Sequence, residues 1–123
     1  MPTDAELDIL AVLWRRGAST VREVHDELAK NSGYTTTLKQ MQMMMDRGLV
    51  VRNERFRSHV YEAAVPKEDT RQQIAGDLLR RAFDGSARNL MLGALKAQPA
   101  TDEELAEIRA LVRDFEKQRR SRK

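Results

Sequence analysis

The sequence predicts a mainly α-helical chain with one small β-hairpin, and three observations point to it. T-x-x-E pairs stand ahead of apolar residues at helical spacing three times, at Thr3–Glu6, Thr20–Glu23 and Thr101–Glu104. Two short extended runs, Leu49-Val50-Val51-Arg52 and His59-Val60-Tyr61-Glu62, flank the segment Asn53–Ser58. Hydrophobic residues make up 41% of the 123 positions and aromatics only 5%, which suits a modest core filled by aliphatic helix faces.

The first helix starts at the Thr3–Glu6 capping box and turns Leu7, Leu10, Leu13 and Trp14 inward until Gly17 stops it. The second starts at Thr20–Glu23, carries Val21, Val24 and Leu28 on one stripe, and ends at Asn31-Ser32-Gly33. Thr35 or Thr36 caps the third, whose apolar side holds Leu38, Met41, Met44 and Met45 and ends near Leu49. Its opposite side carries Thr36, Lys39 and Met43, flanked by Thr35, Gln40 and Arg47, with no acidic residue before Asp46. The hairpin follows, with a basic tip that contains neither Asn-Gly nor Asp-Gly.

Val65-Pro66 marks a boundary, because the residue before proline is pushed out of helical geometry. A fourth helix from about Glu68 to Phe83 carries Ile74, Leu78, Leu79 and Ala82, and Asp84-Gly85-Ser86 breaks it. A short fifth holds Leu90, Met91 and Leu95. The last opens at Thr101–Glu104 and spaces Leu105, Ile108, Val112 and Phe115 by 3, 4 and 3, as a coiled-coil seam does. A basic tail, residues 117–123, closes the chain.

Charge is unevenly distributed. Residues 1–33 are net −2, residues 34–65 net +2 and residues 66–123 net +3. The basic excess thus begins at the third helix, a footprint compatible with nucleic acid. The chain has no cysteine and two histidines. Disulfides and thiolate sites are excluded, His25 is an ordinary surface or edge histidine, and no metal or other cofactor is expected. No nucleophile–base pair, glycine-rich phosphate loop or carboxylate cleft is visible, so no enzyme is expected. No apolar run approaches the roughly 18 residues of a membrane span, and Met1-Pro2-Thr3-Asp4 lacks the charged-then-apolar pattern of a secretion signal. The expected location is the cytoplasm, without membrane insertion.

Three helices followed by a cationic hairpin is the order of a winged helix-turn-helix. A helix fits the major groove of B-DNA and reads base edges with its outward side chains. On this reading residues 1–65 form a winged-helix DNA-binding domain. Thr36, Lys39 and Gln40 reach bases, and Met43 meets either a thymine methyl or the helix edge. Thr35, Arg22, Arg52, Arg55, Arg57 and His59 hold the backbone, Arg47 contacts the DNA from the flank of the third helix, and Ser19 and Thr20 open the second helix toward a phosphate. Residues 66–123 have apolar faces too narrow for a core of their own. They are expected to form a helical dimerisation region through Ile74, Leu78, Leu90, Leu105, Ile108, Val112 and Phe115.

The chain resembles the BlaI/MecI penicillinase-repressor family of winged-helix transcriptional regulators. The resemblance rests on Ala5-Glu6-Leu7-Asp8-Ile9-Leu10, Leu13-Trp14, Ser19-Thr20-Val21-Arg22-Glu23-Val24, Tyr34-Thr35-Thr36, Gly48-Leu49-Val50, Tyr61, Phe83-Asp84-Gly85 and Glu103-Glu104-Leu105. It implies a bacterial homodimer that represses from a palindromic double-stranded DNA operator, with a membrane sensor protease as partner. The family's cut at an Asn-Phe bond in the fifth helix falls here on Gly93-Ala94. Copper-responsive relatives carry clustered C-terminal cysteines, which this chain lacks. Two other readings stay open: a winged-helix regulator gated by a small ligand, and a helical protein-interaction module that does not bind DNA.

Overall fold

A computed structural model describes residues 1–28, 33–54 and 59–122. Six helices and one hairpin follow in chain order: α1 (Asp4–Arg16), α2 (Val21–Leu28), α3 (Tyr34–Asp46), β1 (Val50–Asn53), β2 (Val60–Ala63), α4 (Lys67–Ala82), α5 (Ala87–Ala97) and α6 (Asp102–Ser121). They fall into two compact units, Met1–Gly76 and Asp77 onward.

In the first unit the capping boxes form as their spacing requires. Thr3 accepts from the Glu6 backbone N–H, and Glu6 Oε1 accepts from the Thr3 N–H at 2.9 Å. The same reciprocal pair forms at Thr20 and Glu23. Gly17 ends α1 at φ 84°, a conformation that a side chain would strain. Ile9, Leu10, Val12 and Leu13 of α1 meet Val21 and Val24 of α2, Met41 and Met44 of α3, Val50 and Tyr61 in one buried cluster. The inward face of α1 is therefore wider than the Leu7, Leu10, Leu13, Trp14 stripe; Leu7 and Trp14 lie at its half-buried margin.

β1 and β2 pair antiparallel, Val50 opposite Ala63 and Arg52 opposite Tyr61. Ser19 extends this two-stranded ladder. Its N–H donates to the Tyr61 carbonyl at 3.0 Å and its carbonyl accepts from the Tyr61 N–H at 2.8 Å. A short extended link ahead of α2 thereby lies along the outer edge of β2, and the hairpin is fixed to the helical body.

The α3 start departs from the sequence expectation. Neither Thr35 nor Thr36 caps it. Gly33 occupies the cap position with no side-chain hydrogen bond, and Tyr34 already lies in the first turn. The physical reason is aromatic packing. The Arg22 guanidinium lies 4.3 Å from the centre of the Tyr34 ring, and His25 meets that ring edge-on with centroids 6.0 Å apart.

The first unit extends past the expected division at Val65-Pro66 and takes in the opening turns of α4. Trp14 Nε1 donates to the Val65 carbonyl at 3.1 Å. Thr70 is buried, with its hydroxyl on the Pro66 carbonyl at 3.1 Å. Ile74 faces a cleft against α1.

In the second unit, Asp84 and Gly85 turn the chain at φ 49° and 78°, and the Gly85 N–H closes back on the Leu79 carbonyl at 2.7 Å. Ser86 and Thr101 cap α5 and α6 by accepting from the Asn89 and Glu104 N–H groups. Gly93 admits the Phe83 ring 3.6 Å from where a Cβ would stand. No residue of α5 or α6 is buried. Met91, Leu92, Leu95, Leu111, Val112 and Phe115 are exposed, Phe115 by 64%. Single exposed apolar residues are ordinary, but a contiguous row at helical spacing is an uncovered face.

Candidate nucleic-acid interface

α3 presents two chemically different sides. Thr37, Met41 and Met44 are buried, and Leu38 and Met45 half-buried. Thr35, Thr36, Lys39 and Met43 are exposed, Met43 by 61%. The division follows from the helical repeat, since positions three and four apart share a face. Gln40 is half-buried at one margin. Two contacts brace the helix against the body. His25 Nδ1 and the buried Thr37 hydroxyl lie 2.9 Å apart, and Arg47, past the end of α3, reaches both carboxylate oxygens of Glu6 on α1.

That second contact revises the reading of Arg47. Its guanidinium is held by a carboxylate whose side chain is only 9% exposed, so it locks α3 to α1 instead of standing ready for a phosphate. Burial pushes the Glu6 carboxyl up. The Thr3 N–H, Arg47 and the Thr3 hydroxyl together outweigh burial and hold it below its ordinary value of 4.5.

Ser19 is revised as well. It is 1% exposed, and its hydroxyl donates to the Gly17 carbonyl at 3.0 Å. It is spent on the turn and the hairpin edge and has no free group for a ligand. Thr20 and Glu23 occupy each other's N–H groups at the start of α2. The Thr20 N–H and hydroxyl, with Arg16 beyond, hold the Glu23 carboxyl below the usual carboxylate range. The positive end of α2 thus already faces a carboxylate of its own chain, and its capacity to draw a phosphate is reduced.

Beside the exposed side of α3 runs a cleft of about 490 Å³. Thr20, Arg22, Arg52 and His59 line it, which brings together four residues picked from the sequence. Tyr34, Leu38 and Gln42 form its α3 wall. Tyr34 and Gln42 were missed as site residues. Gln42 was legible in principle, since it lies one turn beyond Lys39 on an adjoining stripe. Arg52 pairs with Glu54 at 3.0 Å in the open, a contact of low energy that a phosphate can replace. The expected contacts Arg55 and Arg57 lie outside the described residues.

A helix that buries its methionines Met41 and Met44 and turns Thr35, Thr36, Lys39 and Met43 outward, with no acidic residue before Asp46 at its end, beside a cationic cleft and a hairpin, defines a winged-helix transcriptional regulator. The chain belongs to the penicillinase repressor family, whose model matches residues 2–114. It is 22% identical over 120 residues to the penicillinase repressor of Bacillus licheniformis, covering 96% of this chain and 94% of that one. It is 29% identical over 112 residues to the transcriptional regulator BlaI of Mycobacterium tuberculosis, covering 89% and 81%. Among the described residues no helix is long and apolar enough to cross a membrane.

Proposed function

We propose that this chain is a homodimeric repressor that lays the exposed side of α3 in the major groove of a palindromic operator, with the β1–β2 hairpin on the flanking backbone. The observation that carries this reading is the segregation along α3. Met41 and Met44 are fully buried while Thr35, Thr36, Lys39 and Met43 face outward, and the Arg22–Arg52–His59 cleft borders that outward side. Threonine hydroxyls, an amide and a lysine match base edges, and an exposed methionine matches a thymine methyl. Arg22, already stacked on Tyr34, and Arg52 match phosphates.

The apolar row on α5 and α6 supports a second copy as the dimer partner, because a two-fold pair would cover both rows at once and set two α3 helices on successive half-sites. A membrane sensor protease is the partner that the family suggests for release. Gly93-Ala94 lies inside α5, so cleavage there requires that helix to open locally first.

The salt dependence of operator binding tests the backbone role. Replacing Arg52 with alanine is expected to weaken binding and lower the slope of log affinity against log salt by about one unit. An unchanged slope with unchanged affinity would contradict a phosphate role for the hairpin.

A further inference from the structure

We propose that the cleft between α1 and the opening turns of α4 is a binding site for a small organic carboxylate with an aryl or hydrocarbon body. The cleft measures about 450 Å³, within the roughly 300–1,000 Å³ of ordinary ligand pockets. Its walls are apolar: Leu7, Ala11 and Trp14 from α1 and Ile74 from α4. The one polar atom of the indole already donates to the Val65 carbonyl, so Trp14 offers the cleft only its ring surface. Arg15, Lys67 and Arg71 complete the lining, and all three are cations.

Neither arginine is firmly engaged. Arg15 lies 3.7 Å from Glu27 and Arg71 3.4 Å from Glu68, both with well-exposed guanidinium groups, and pairs of that kind contribute little. A ligand carboxylate can displace them and gain charge-assisted hydrogen bonds at the edge of an apolar wall. The combination selects the ligand class. A phosphodiester backbone would satisfy the cations but leave the apolar wall wet, and a neutral apolar molecule would leave the cations without a counter-charge. An amphipathic monoanion satisfies both. Its binding would tie α4 to α1 whether or not the chain binds DNA, so the inference does not rest on the proposed function.

Trp14 is the only tryptophan in the chain, so the protein's tryptophan emission comes from a residue that lines this cleft. The full-length protein without DNA is titrated with hydrocinnamate and separately with its neutral amide, exciting where neither phenyl compound absorbs. Hydrocinnamate is expected to change Trp14 emission saturably, with half-saturation below about 5 mM. The amide is expected to bind about ten-fold more weakly, and the Lys67→Gln/Arg71→Gln double variant to lose about ten-fold for the acid and nothing for the amide. Both substitutions are on exposed positions, so folding is retained. Ala11→Phe, which fills the cleft, is expected to abolish both responses. The absence of a saturable change would overturn the proposal, as would equal binding of acid and amide with no effect of the double variant. So would a Trp14 signal that follows protein concentration and ignores the ligand, since a second copy would then occupy the cleft.

Discussion

Replacing Val112 and Phe115 together with aspartate is expected to split the proposed dimer into monomers and to lower operator affinity by about 10²–10³-fold. Both side chains are exposed on α6, Phe115 by 64%, and they share an apolar concavity with Ala87 and Met91 of α5, and with Ile108 and Leu111. Two carboxylates forced into a dry seam would each lose several kcal/mol of hydration with no partner to replace it. A lone copy binds one half-site and forfeits the second contact, which in the dimer is held at high effective concentration. No residue of α5 or α6 belongs to the buried core, so the winged unit should retain its fold and its weak half-site binding. Sedimentation together with operator titration checks this. A variant that stays dimeric, or a monomer that binds as tightly as the parent, would contradict the dimer reading.

Replacing Arg47 with alanine is expected to destabilise the first unit at neutral pH by about 1–2 kcal/mol. The figure lies below that for a fully buried pair because Arg47 itself is 45% exposed, whereas the Glu6 side chain is 9% exposed. Without Arg47 the Glu6 carboxylate keeps its burial and its Thr3 contacts and loses its counter-charge. The pH dependence follows from the direction of the shift. In the folded parent the Glu6 carboxyl is held below its ordinary value of 4.5. Its stabilisation is complete above that value and is lost as pH falls through the lower folded one. The difference between parent and variant should therefore be full at neutral pH and smaller at an acid pH below 4.5. Urea unfolding at the two pH values measures it. An equal difference at both would show that Arg47 acts through its alkyl packing and not through its charge.

Much of this fold is legible because its signals are local. Thr3–Glu6 and Thr20–Glu23 are three residues apart and form both halves of their boxes, and Thr101 caps α6 through the Glu104 N–H. The stripe of Met41 and Met44 on α3 and the extended runs of the hairpin are equally local, and they led to the correct order of elements. Most of the revisions come from partners distant in sequence. Ser19 reads as an exposed helix-start residue until Tyr61, forty-odd positions on, takes its backbone into the hairpin edge and buries it; its hydroxyl turns back on the Gly17 carbonyl. Arg47 reads as a surface cation until Glu6 is brought beneath it. Tyr34 draws the start of α3 ahead of either threonine cap, with Gly33 at the cap position, because Arg22 and His25 of α2 hold its ring. The extent of the first unit follows from Trp14 donating to the Val65 carbonyl and from Thr70 buried on the Pro66 carbonyl, contacts that Val65-Pro66 does not announce. Thr36 and Lys39, expected at bases, are exposed, since the helical repeat sets which side of α3 faces out, while Gln40 is half-buried at its margin.

The central claim is that the outward side of α3 reads base sequence. Selection of binding sites from random duplex DNA by the purified protein tests it most directly, with Lys39→Ala and Gln40→Ala variants run in parallel. The claim predicts an enriched inverted repeat with half-sites one or two helical turns apart, whose preferred bases change in the variants. No enriched sequence, or an enriched sequence that both variants leave unaltered, would contradict it.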